Sequence, residues 1–247
     1  MVSTDIDLSV IVPAYNEAER ISKTLERLQE YLGGNSSSYE ILVVLDGPTD
    51  NTRDVVQALS GRIENLRIVD RQVNRGKGFT VKEGMLKASG RLRLFTDADN
   101  STDIAHFEKM KVLFDQGYDL AIASRDSKDV RDAQQSVSQP WYKRLIGHAG
   151  NLVVQLLVVR GIWDTQCGFK AFRAEVAERI FSQTVIEGWG FDIEVLALAR
   201  AFDCKIGIVP AHWVNDDRSH VRSFDYLRVL ADTLRIRSNF TAGKYQL

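Results

Sequence analysis

The chain has few cysteines and almost no net charge, and each shortage excludes a class of protein. Its 247 residues contain two cysteines, Cys167 and Cys204, and carry a formal net charge of −1. The two cysteines lack the paired spacing of metal ligands, so we interpret them as reduced thiols and expect neither a disulfide framework nor a zinc site. A net charge near zero provides no overall field for nucleic acid, so we expect no nucleic-acid partner.

The sequence also lacks an apolar run long enough to cross a bilayer. The most apolar window, residues 145–163, is interrupted by polar residues, whereas a membrane helix needs about 20 apolar residues. Residues 1–7 are polar and acidic and show no signal-peptide pattern. We therefore expect a cytoplasmic protein with no membrane span of its own.

What the sequence has instead is an alternation of strand and helix patterns. Continuous apolar runs, typical of strands buried on both faces, occur at 8–14, 41–45, 66–69, 92–95, 120–123 and 206–209. Helical periodicity occurs at 16–32, about 50–59, 76–88 and 103–114, and Asn16 is the expected cap of the first helix. This alternation predicts an α/β fold, Rossmann-like, with a mostly parallel sheet flanked by helices and a mostly helical second half.

We expect a single domain, because no repeat and no linker divides the chain. Residues 1–125 hold the strand–helix alternation and are expected to bind the nucleotide part of a ligand. Residues 126–247 are expected to face a second substrate, beginning with a polar stretch, 126–139, that predicts a mobile loop.

One segment favours contact with a membrane surface. Residues 140–144 join aromatic to basic side chains just before an apolar helix that ends near Val159. The alternative is that Leu152, Leu156 and Val159 simply pack against the sheet. The sequence leaves both interpretations open.

The strongest chemical signal is a pair of aspartates after the fourth predicted strand. Asp97 and Asp99 are two residues apart, so in an extended segment both carboxylates point to one face. Ligands of open α/β sheets bind at the carboxyl ends of the strands, and carboxylates suit Mg²⁺ or Mn²⁺ holding a diphosphate. A plain turn is the alternative for these two residues taken alone.

Polar clusters also follow the first two strands. After the first, the ring of Tyr15 could stack on a base and Glu17 could accept a hydrogen bond from a base or ribose. After the second, Asp46 could accept the ring N–H of uracil or guanine, without distinguishing the two. Ordinary turns are the alternative in both places.

Cationic residues follow the third and fifth strands. Arg75 and Lys77, with their neighbouring glycines, suggest a loop that faces phosphate, although the spacing is not that of a P-loop. Arg125 could bind a phosphate through two hydrogen bonds. A solvated turn and a surface ion pair are the respective alternatives.

Two later clusters, 164–170 and 188–194, combine glycine, aromatic and carboxylate residues, a composition suited to a sugar pocket. Trp189 could offer an apolar platform to a sugar. Asp192 and Glu194 are two apart, so on a helix only one is expected to face the pocket. The alternative for Glu194 is a solvated helix face.

These segments, in this order, resemble the inverting glycosyltransferase family 2, which has the GT-A fold. The resemblance extends from residue 11 to about residue 243. Residues 11–17, 74–78 and 97–99 match motifs that are widespread in the family. Residues 161–170 and 191–194 resemble the branch that contains dolichyl-phosphate β-glucosyltransferases and related polyprenyl-phosphate sugar synthases.

The resemblance and the residue patterns together give a set of expected roles. The catalytic candidates are Asp97, Asp99, Arg125, Asp192 and Glu194. The nucleotide-binding candidates are Pro13, Ala14, Tyr15, Glu17, Asp46, Lys77 and Asp97. The candidates for binding phosphate or acceptor are Arg75, Arg125, Lys170, Arg218 and His220. The sugar-binding candidates are Gln166, Gly168 and Trp189, and the metal candidates are Asp97, Asp99 and His220.

Three departures from the family pattern affect these expectations. Leu45 stands where the family often has a second aspartate, so Asp46 alone is expected to contact the nucleobase. Ser101 stands where mannosyl relatives often carry glutamine, which favours glucose. His220 stands where a lysine is frequent, so Arg218 or His220 is expected to replace that lysine near the phosphates.

The function implied is metal-dependent transfer of a hexose to a polyprenyl or dolichyl phosphate at the cytoplasmic face of a membrane, with glucose from UDP-glucose as the expected donor sugar. A phosphate monoester, with a second pKa of about 6, needs no general base. One alternative is transfer of mannose from GDP-mannose. Others are a soluble or polysaccharide acceptor with Asp192 or Glu194 as base, a silent module that only binds nucleotide sugars, and a nucleotidyltransferase.

Overall fold

The fold is built on one seven-stranded sheet. The computed structural model describes residues 6–34, 38–135, 150–213 and 223–247. The strands are β1 (Leu8–Ala14), β2 (Tyr39–Asp46), β3 (Leu66–Arg71), β4 (Leu92–Thr96), β5 (Leu120–Ser124), β6 (Gln134–Gln135), β7 (Phe169–Arg173), β8 (Ile206–Pro210) and β9 (His212–Trp213). The sheet order is β3-β2-β1-β4-β7-β5-β8, and β6 pairs separately with β9. Six strands of the sheet run parallel, whereas β7 is antiparallel to both its neighbours.

Helices cover both faces of this sheet. They are α1 (Ile21–Gly33), α2 (Thr52–Leu59), α3 (Lys77–Lys87), α4 (Phe107–Asp115), α5 (residues 150–157), α6 (Ala174–Gln183), α7 (Phe191–Ala201) and α8 (Ser223–Thr241). Alternate strand residues face opposite sides. On β1, Val10 and Val12 therefore join the core with α1, α2 and α4, whereas Ile11 joins the core with α3, α6 and α7. The predicted α/β fold with a mostly parallel sheet is confirmed.

The structure differs from the sequence-based expectation at β7, which the apolar runs did not predict. Lys170 and Arg173 interrupt this strand, so its pattern does not read as a buried run. Phe169 and Ala171 nevertheless face one core and Phe172 the other. Strands from both halves of the chain thus share one sheet.

The first helix also begins later than predicted, at Ile21 rather than near Asn16. Asn16 adopts a left-handed backbone conformation with φ of 55°, which ends the strand and cannot start a helix. Its side-chain oxygen instead accepts hydrogen bonds from the backbone N–H groups of Thr49, at 2.8 Å, and Asp50, at 3.3 Å. Asn16 therefore joins two loops and is not a helix cap.

Helix α5 and the residue after it contain both buried and exposed apolar side chains, so packing against the sheet accounts for only some of them. Val159, just beyond it, is fully buried, but Leu152 and Leu156 are 51% and 62% exposed. The aromatic and basic segment 140–144 and residues 136–139 of the predicted loop 126–139 lie outside the described residues. Among the residues that are described, no helix combines the length and the apolar character needed to cross a bilayer.

Helix α3 packs so closely on the sheet that it needs a glycine. A Cβ on Gly84 would lie 2.4 Å from Cγ2 of Ile11 and 3.0 Å from Cγ2 of Val44. Gly84→Ala is expected to lower the free energy of unfolding by about 1–3 kcal/mol, because overpacking outweighs the helix propensity of alanine. Urea unfolding measures the change. Gly61→Ala, whose Cβ would meet no atom within 4 Å, is the matched control; equal midpoints for the two variants would contradict the prediction.

Candidate active site

Polar residues from four strands converge at one edge of the sheet. The carboxyl ends of β1, β2, β4 and β5 point the same way. At or just after these ends lie the candidates Tyr15, Glu17, Asp46, Asp97, Asp99 and Arg125. Edges of this kind are where open α/β sheets bind ligands. Within this edge, Glu17, Asp97 and Asp99 form what we call the acidic cluster.

Arg20 holds two members of the acidic cluster together. Its Nη2 atom lies 2.6 Å from Oε2 of Glu17, and its Nη1 atom lies 4.0 Å from Oδ2 of Asp99. Burial raises the pKa of Glu17 to about 7; the pairing with Arg20 opposes this shift, and the charges of Asp99 and Asp97 add to it. The cluster is therefore an electronegative site that favours a cation.

The turn after β4 is held in shape by three hydrogen bonds. The N–H of Ser101 donates to Oδ1 of Asp99 at 2.9 Å, and the hydroxyl of Thr24 donates to the carbonyl of Ala98 at 2.6 Å. The N–H of Asp97 donates to the carbonyl of Gly168 at 3.2 Å. Asp97 and Asp99 remain 32% and 24% exposed, so their carboxylates are accessible to a ligand.

Gly168 leaves room for the carboxylate of Asp97. A Cβ at this position would lie 2.0 Å from Oδ2 of Asp97 and 2.4 Å from its Cγ. Any side chain here would displace the carboxylate. Gly168, expected as a sugar contact, thus has a steric role beside the acidic cluster.

Lys77 at the start of α3 faces the acidic cluster directly. Its Nζ atom lies 2.6 Å from Oδ1 of Asp97 and 5.1 Å from the ring centre of Trp189. Burial alone would lower the pKa of Lys77, but the carboxylates of Asp97, Asp192 and Asp99 raise it above its ordinary value. Lys77 is therefore a fixed positive charge at this edge.

The carboxylate of Asp46 is bound by hydrogen-bond donors of the protein itself. Its carboxylate accepts hydrogen bonds from the N–H groups of Arg75, at 2.8 Å, and Gly76, at 2.9 Å, and from the guanidinium of Arg71. The residue is 3% exposed. Its predicted contact with a base stays a prediction, and the geometry gives it the different task of holding the loop that carries Lys77.

Two other cations expected at phosphates are engaged with carboxylates of the chain. Arg125 donates from Nε and Nη2 to the two oxygens of Asp164, both at 2.7 Å. Arg75 pairs with Glu187 and lies 3.6 Å above the ring centre of Phe79. Burial raises the pKa of Asp164, but Arg125 more than offsets it, so this carboxyl stays ionised.

Lys170, expected to bind phosphate or acceptor, is fully buried and faces no solvent. Its Nζ atom lies 2.5 Å from Oδ1 of Asp192 and 2.6 Å from the carbonyl oxygen of Cys167. Burial raises the pKa of Asp192, and Lys170 and Lys77 oppose the shift. The expected contact of Lys170 with phosphate or acceptor stays a prediction, and in the structure its ammonium is already engaged by two partners.

Glu194 lies on the other side of α7 from Asp192. Its carboxylate accepts hydrogen bonds from the N–H of Ile186, at 2.9 Å, from that of Val185, at 3.0 Å, and from the hydroxyl of Tyr245, at 2.7 Å. It is fully buried, so the solvated-face alternative is wrong. The catalytic role expected for Glu194 stays a prediction, although these internal donors already occupy its carboxylate.

The remaining candidates lie at the rim of the site or outside the described residues. Tyr15 is 38% exposed, whereas Ala14 is buried beside a half-buried Pro13. The side chain of Gln166 donates to the carbonyl of Trp189 at 3.4 Å. Arg218 and His220 lie outside the described part of the chain.

Two residues of the site were not assigned a role from the sequence. Arg20 was missed although its spacing of three from Glu17 was a signal, and Asp164 was predicted only as part of a polar cluster. No set of three or more His, Cys, Asp or Glu side chains surrounds a common point in the described ranges. A metal ion here would be held by two carboxylates together with a ligand.

The sequence of the chain is similar to that of known proteins. The sequence profile described as "Glycosyl transferase family 2" matches residues 9–181. The chain is 34% identical over 253 residues to the dolichyl-phosphate beta-glucosyltransferase of Dictyostelium discoideum, covering 98% of this chain and 77% of that protein. It is 32% identical over 251 residues to the human protein of that name, covering 97% and 78%.

The fold is also similar to a solved structure. Glucosyl-3-phosphoglycerate synthase from Mycobacterium tuberculosis, in complex with Mn²⁺, UDP and glucosyl-3-phosphoglycerate, aligns with a TM-score of 0.63 at 21% identity. The alignment covers 94% of this chain and 80% of that one. At this identity the similarity concerns the fold.

The raised pKa of Glu17 predicts a pH dependence of stability. Between pH 4.5, its ordinary value, and about 7, the folded state keeps a proton that the unfolded state loses, so stability falls as pH rises. The free energy of unfolding of Glu17→Gln, relative to that of the wild type, should therefore rise by up to about 3 kcal/mol as the pH increases across this window. Above pH 7 the difference should stay constant. Urea unfolding at each pH measures the difference, with exposed Glu26→Gln as control. A pH-independent difference would contradict the assignment.

The bond between Glu194 and Tyr245 predicts energetic coupling in the core. Glu194→Gln is expected to destabilise the protein by about 1–3 kcal/mol, because buried N–H groups lose a charged acceptor. In a double-mutant cycle with Tyr245→Phe, the two losses should be non-additive by about 0.5 kcal/mol or more. Additive losses in urea unfolding would show that the hydrogen bond contributes nothing.

Proposed function

The chain belongs to glycosyltransferase family 2 and is a glycosyltransferase, and on this basis we propose that it transfers glucose from UDP-glucose to a polyprenyl or dolichyl phosphate. Relatives from Dictyostelium discoideum, Drosophila melanogaster and Homo sapiens, at 32–34% identity, carry names that support this acceptor and this sugar. The UDP in the complex of the structural neighbour supports a uridine nucleotide. The matches cover 77% of the Dictyostelium protein and 78% of the human protein.

The observation that carries the proposal is the accessible carboxylate pair Asp97 and Asp99 at the end of β4. Mg²⁺ and related cations are commonly bound through one or two carboxylates plus the phosphates of a substrate. The positive charge of Lys77 already lies against Asp97, at 2.6 Å, which supports the view that this position favours a cation. When bound, a divalent cation supplies charge that stabilises the departing diphosphate.

The residues of the chain can position the two substrates. Tyr15 is exposed enough at the rim to stack on a nucleobase. The ammonium of Lys77 lies beside the acidic cluster, where it can pair with a diphosphate. Trp189 lies close to Lys77 and offers a ring to the sugar. These three side chains are proposed to surround the anomeric carbon and its leaving group.

A phosphate acceptor fits the scarcity of a free general base. Asp192 is engaged by Lys170, and Glu194 by backbone donors and Tyr245. A phosphate monoester is already largely anionic near neutral pH, with a second pKa of about 6, so it can attack unaided. Its oxygen would form the bond to the anomeric carbon while the bond to the diphosphate breaks, which inverts that centre.

Product analysis tests this function. The purified chain is incubated with Mn²⁺ and radiolabelled UDP-glucose or GDP-mannose, with either dolichyl phosphate or a soluble oligosaccharide as acceptor. The expected result is label in a lipid-linked product only from UDP-glucose and dolichyl phosphate. Label from GDP-mannose, or in the oligosaccharide, would support the alternative transferases, and binding without turnover would support a silent module.

Asp99→Asn tests the site itself. The substitution removes one anionic ligand and is expected to lower kcat/KM by about a hundredfold or more, in the range seen when one charge-stabilising group is lost. The apparent Mn²⁺ requirement should rise as well. Asp115→Asn, an exposed aspartate at the end of α4, is the matched control and should behave as wild type. Full metal-dependent transfer by Asp99→Asn would refute this site.

A further inference from the structure

An arginine-lined cavity lies away from the acidic cluster. It has a volume of about 430 Å³ and is lined by Leu156, Leu157, Val158, Arg160, Arg200 and Arg237. Asp192 lies in the first turn of α7 beside the active site, whereas Arg200 lies in its last turn. Eight residues of helix separate them, or about 12 Å along the axis. The cavity is therefore distinct from the position where sugar transfer is proposed.

The lining of the cavity contains three arginines and no acidic residue. Within the described ranges, no ion pair joins Arg160, Arg200 or Arg237 to a carboxylate. The contact of Arg200 that is described goes to the carbonyl oxygen of Arg160, at 3.4 Å. Three guanidinium groups around one cavity repel each other, and an anion relieves that repulsion. Guanidinium groups are particularly suited to phosphate, because they donate two parallel hydrogen bonds.

Exposed leucines lie beside these arginines. Leu152 and Leu156 are one helical turn apart on α5, and Leu156 also lines the cavity. On α8, Leu234 is 54% exposed and lies one turn before Arg237. An isolated exposed leucine needs no explanation, but leucines grouped with arginines are typical of helices that lie at a membrane interface.

The opposite faces of both helices are already packed. Val154 on α5 and Thr233 and Ile236 on α8 are buried in the protein. The leucines therefore point outward because the inward positions are filled by other residues. We define Leu152, Leu156, Leu234, Arg160, Arg200 and Arg237 as the docking surface.

We propose that the docking surface binds an anionic phospholipid bilayer. The arginines of the cavity receive the phosphate of a lipid headgroup, and the leucines enter the boundary of the acyl chains. A free phosphate ion would use the arginines alone, whereas a bilayer offers anionic and apolar surface together and matches both parts. The inference goes beyond glycosyl transfer and does not depend on the donor or the acceptor of that reaction.

Vesicle binding tests the role of charge. Wild-type protein is mixed with vesicles of phosphatidylcholine alone or with added phosphatidylserine, without nucleotide sugar or prenyl phosphate, and separated by flotation. Each basic residue near an anionic surface contributes about 1 kcal/mol, or about fivefold in affinity. The triple variant Arg160→Gln, Arg200→Gln, Arg237→Gln should therefore bind about a hundredfold more weakly. Arg62→Gln, an exposed arginine near β3 and outside the docking surface, is the control and should bind as tightly as the wild type.

A second variant tests the role of the leucines. Leu152→Gln with Leu156→Gln should weaken binding by about tenfold or more at both low and high salt, because apolar burial is not screened. The loss in the arginine variant should shrink at high salt, because screening removes the contribution of these charges in the wild type too. Val112→Gln, an exposed apolar residue on α4, is the control for the leucines and should not change binding.

Several outcomes would overturn the proposal. They are no binding by the wild type, equal binding to neutral and anionic vesicles, unchanged binding by the triple variant, and full displacement by millimolar inorganic phosphate. Urea unfolding checks that the variants are folded. If the triple variant is not folded, the single variant Arg237→Gln replaces it, and its affinity for anionic vesicles should fall by about fivefold.

A separate readout distinguishes failure of this inference from failure of the proposed function. Glucosyl transfer to a short, water-soluble prenyl phosphate should be equal in wild type and triple variant, because the docking surface does not touch the reacting groups. Vesicle binding without any transfer would refute the function and keep the surface. Transfer without vesicle binding would refute the surface alone.

Discussion

The reversal of β7 within the sheet determines how the active site is built. Because β7 runs antiparallel between β4 and β5, its first residue, Phe169, pairs with Thr96 at the carboxyl end of β4. The segment just before β7 must therefore cross the edge where ligands bind. That crossing places Gly168 against Asp97 and brings Asp164 to Arg125 at the end of β5. The second half of the chain thereby completes a site that the first half begins.

The charged pairs of the site divide into two groups by burial. Lys170 and Asp192 are 0% and 3% exposed, so this pair is sealed in the protein and fixes the position of α7 against β7. Lys77 and Asp97 are 16% and 32% exposed, so a ligand can reach both. Breaking a buried pair leaves an uncompensated charge, whereas an accessible pair can exchange partners at lower cost. The accessible pair is therefore the part of the site suited to bind and release a substrate.

The sequence predicted the strands that show local periodicity. It did not predict features that depend on a contact with a residue far away in the chain. Continuous apolar runs predicted six strands of the main sheet, because burial on both faces leaves a simple pattern. The strand β7 was missed because Lys170 looks polar in sequence, and Asp192, which permits its burial, is 22 residues away. Asn16 was misread for the same reason, since its partner Thr49 is 33 residues away.

The sequence also predicted the location of some residues of the site, but not which of their side chains are accessible. Asp97, Asp99 and Lys77 could be placed at one edge, because parallel strands bring their carboxyl ends together. Which carboxylates remain accessible could not be predicted, because Asp46 and Glu194 are occupied by backbone N–H groups that only the folded chain brings to them. Helix α7 shows what the folded chain adds: residues 191–199 are buried, so this helix sets the spacing between Asp192, which lies near the charges of Lys77 and Asp97, and Arg200 at the arginine-lined cavity.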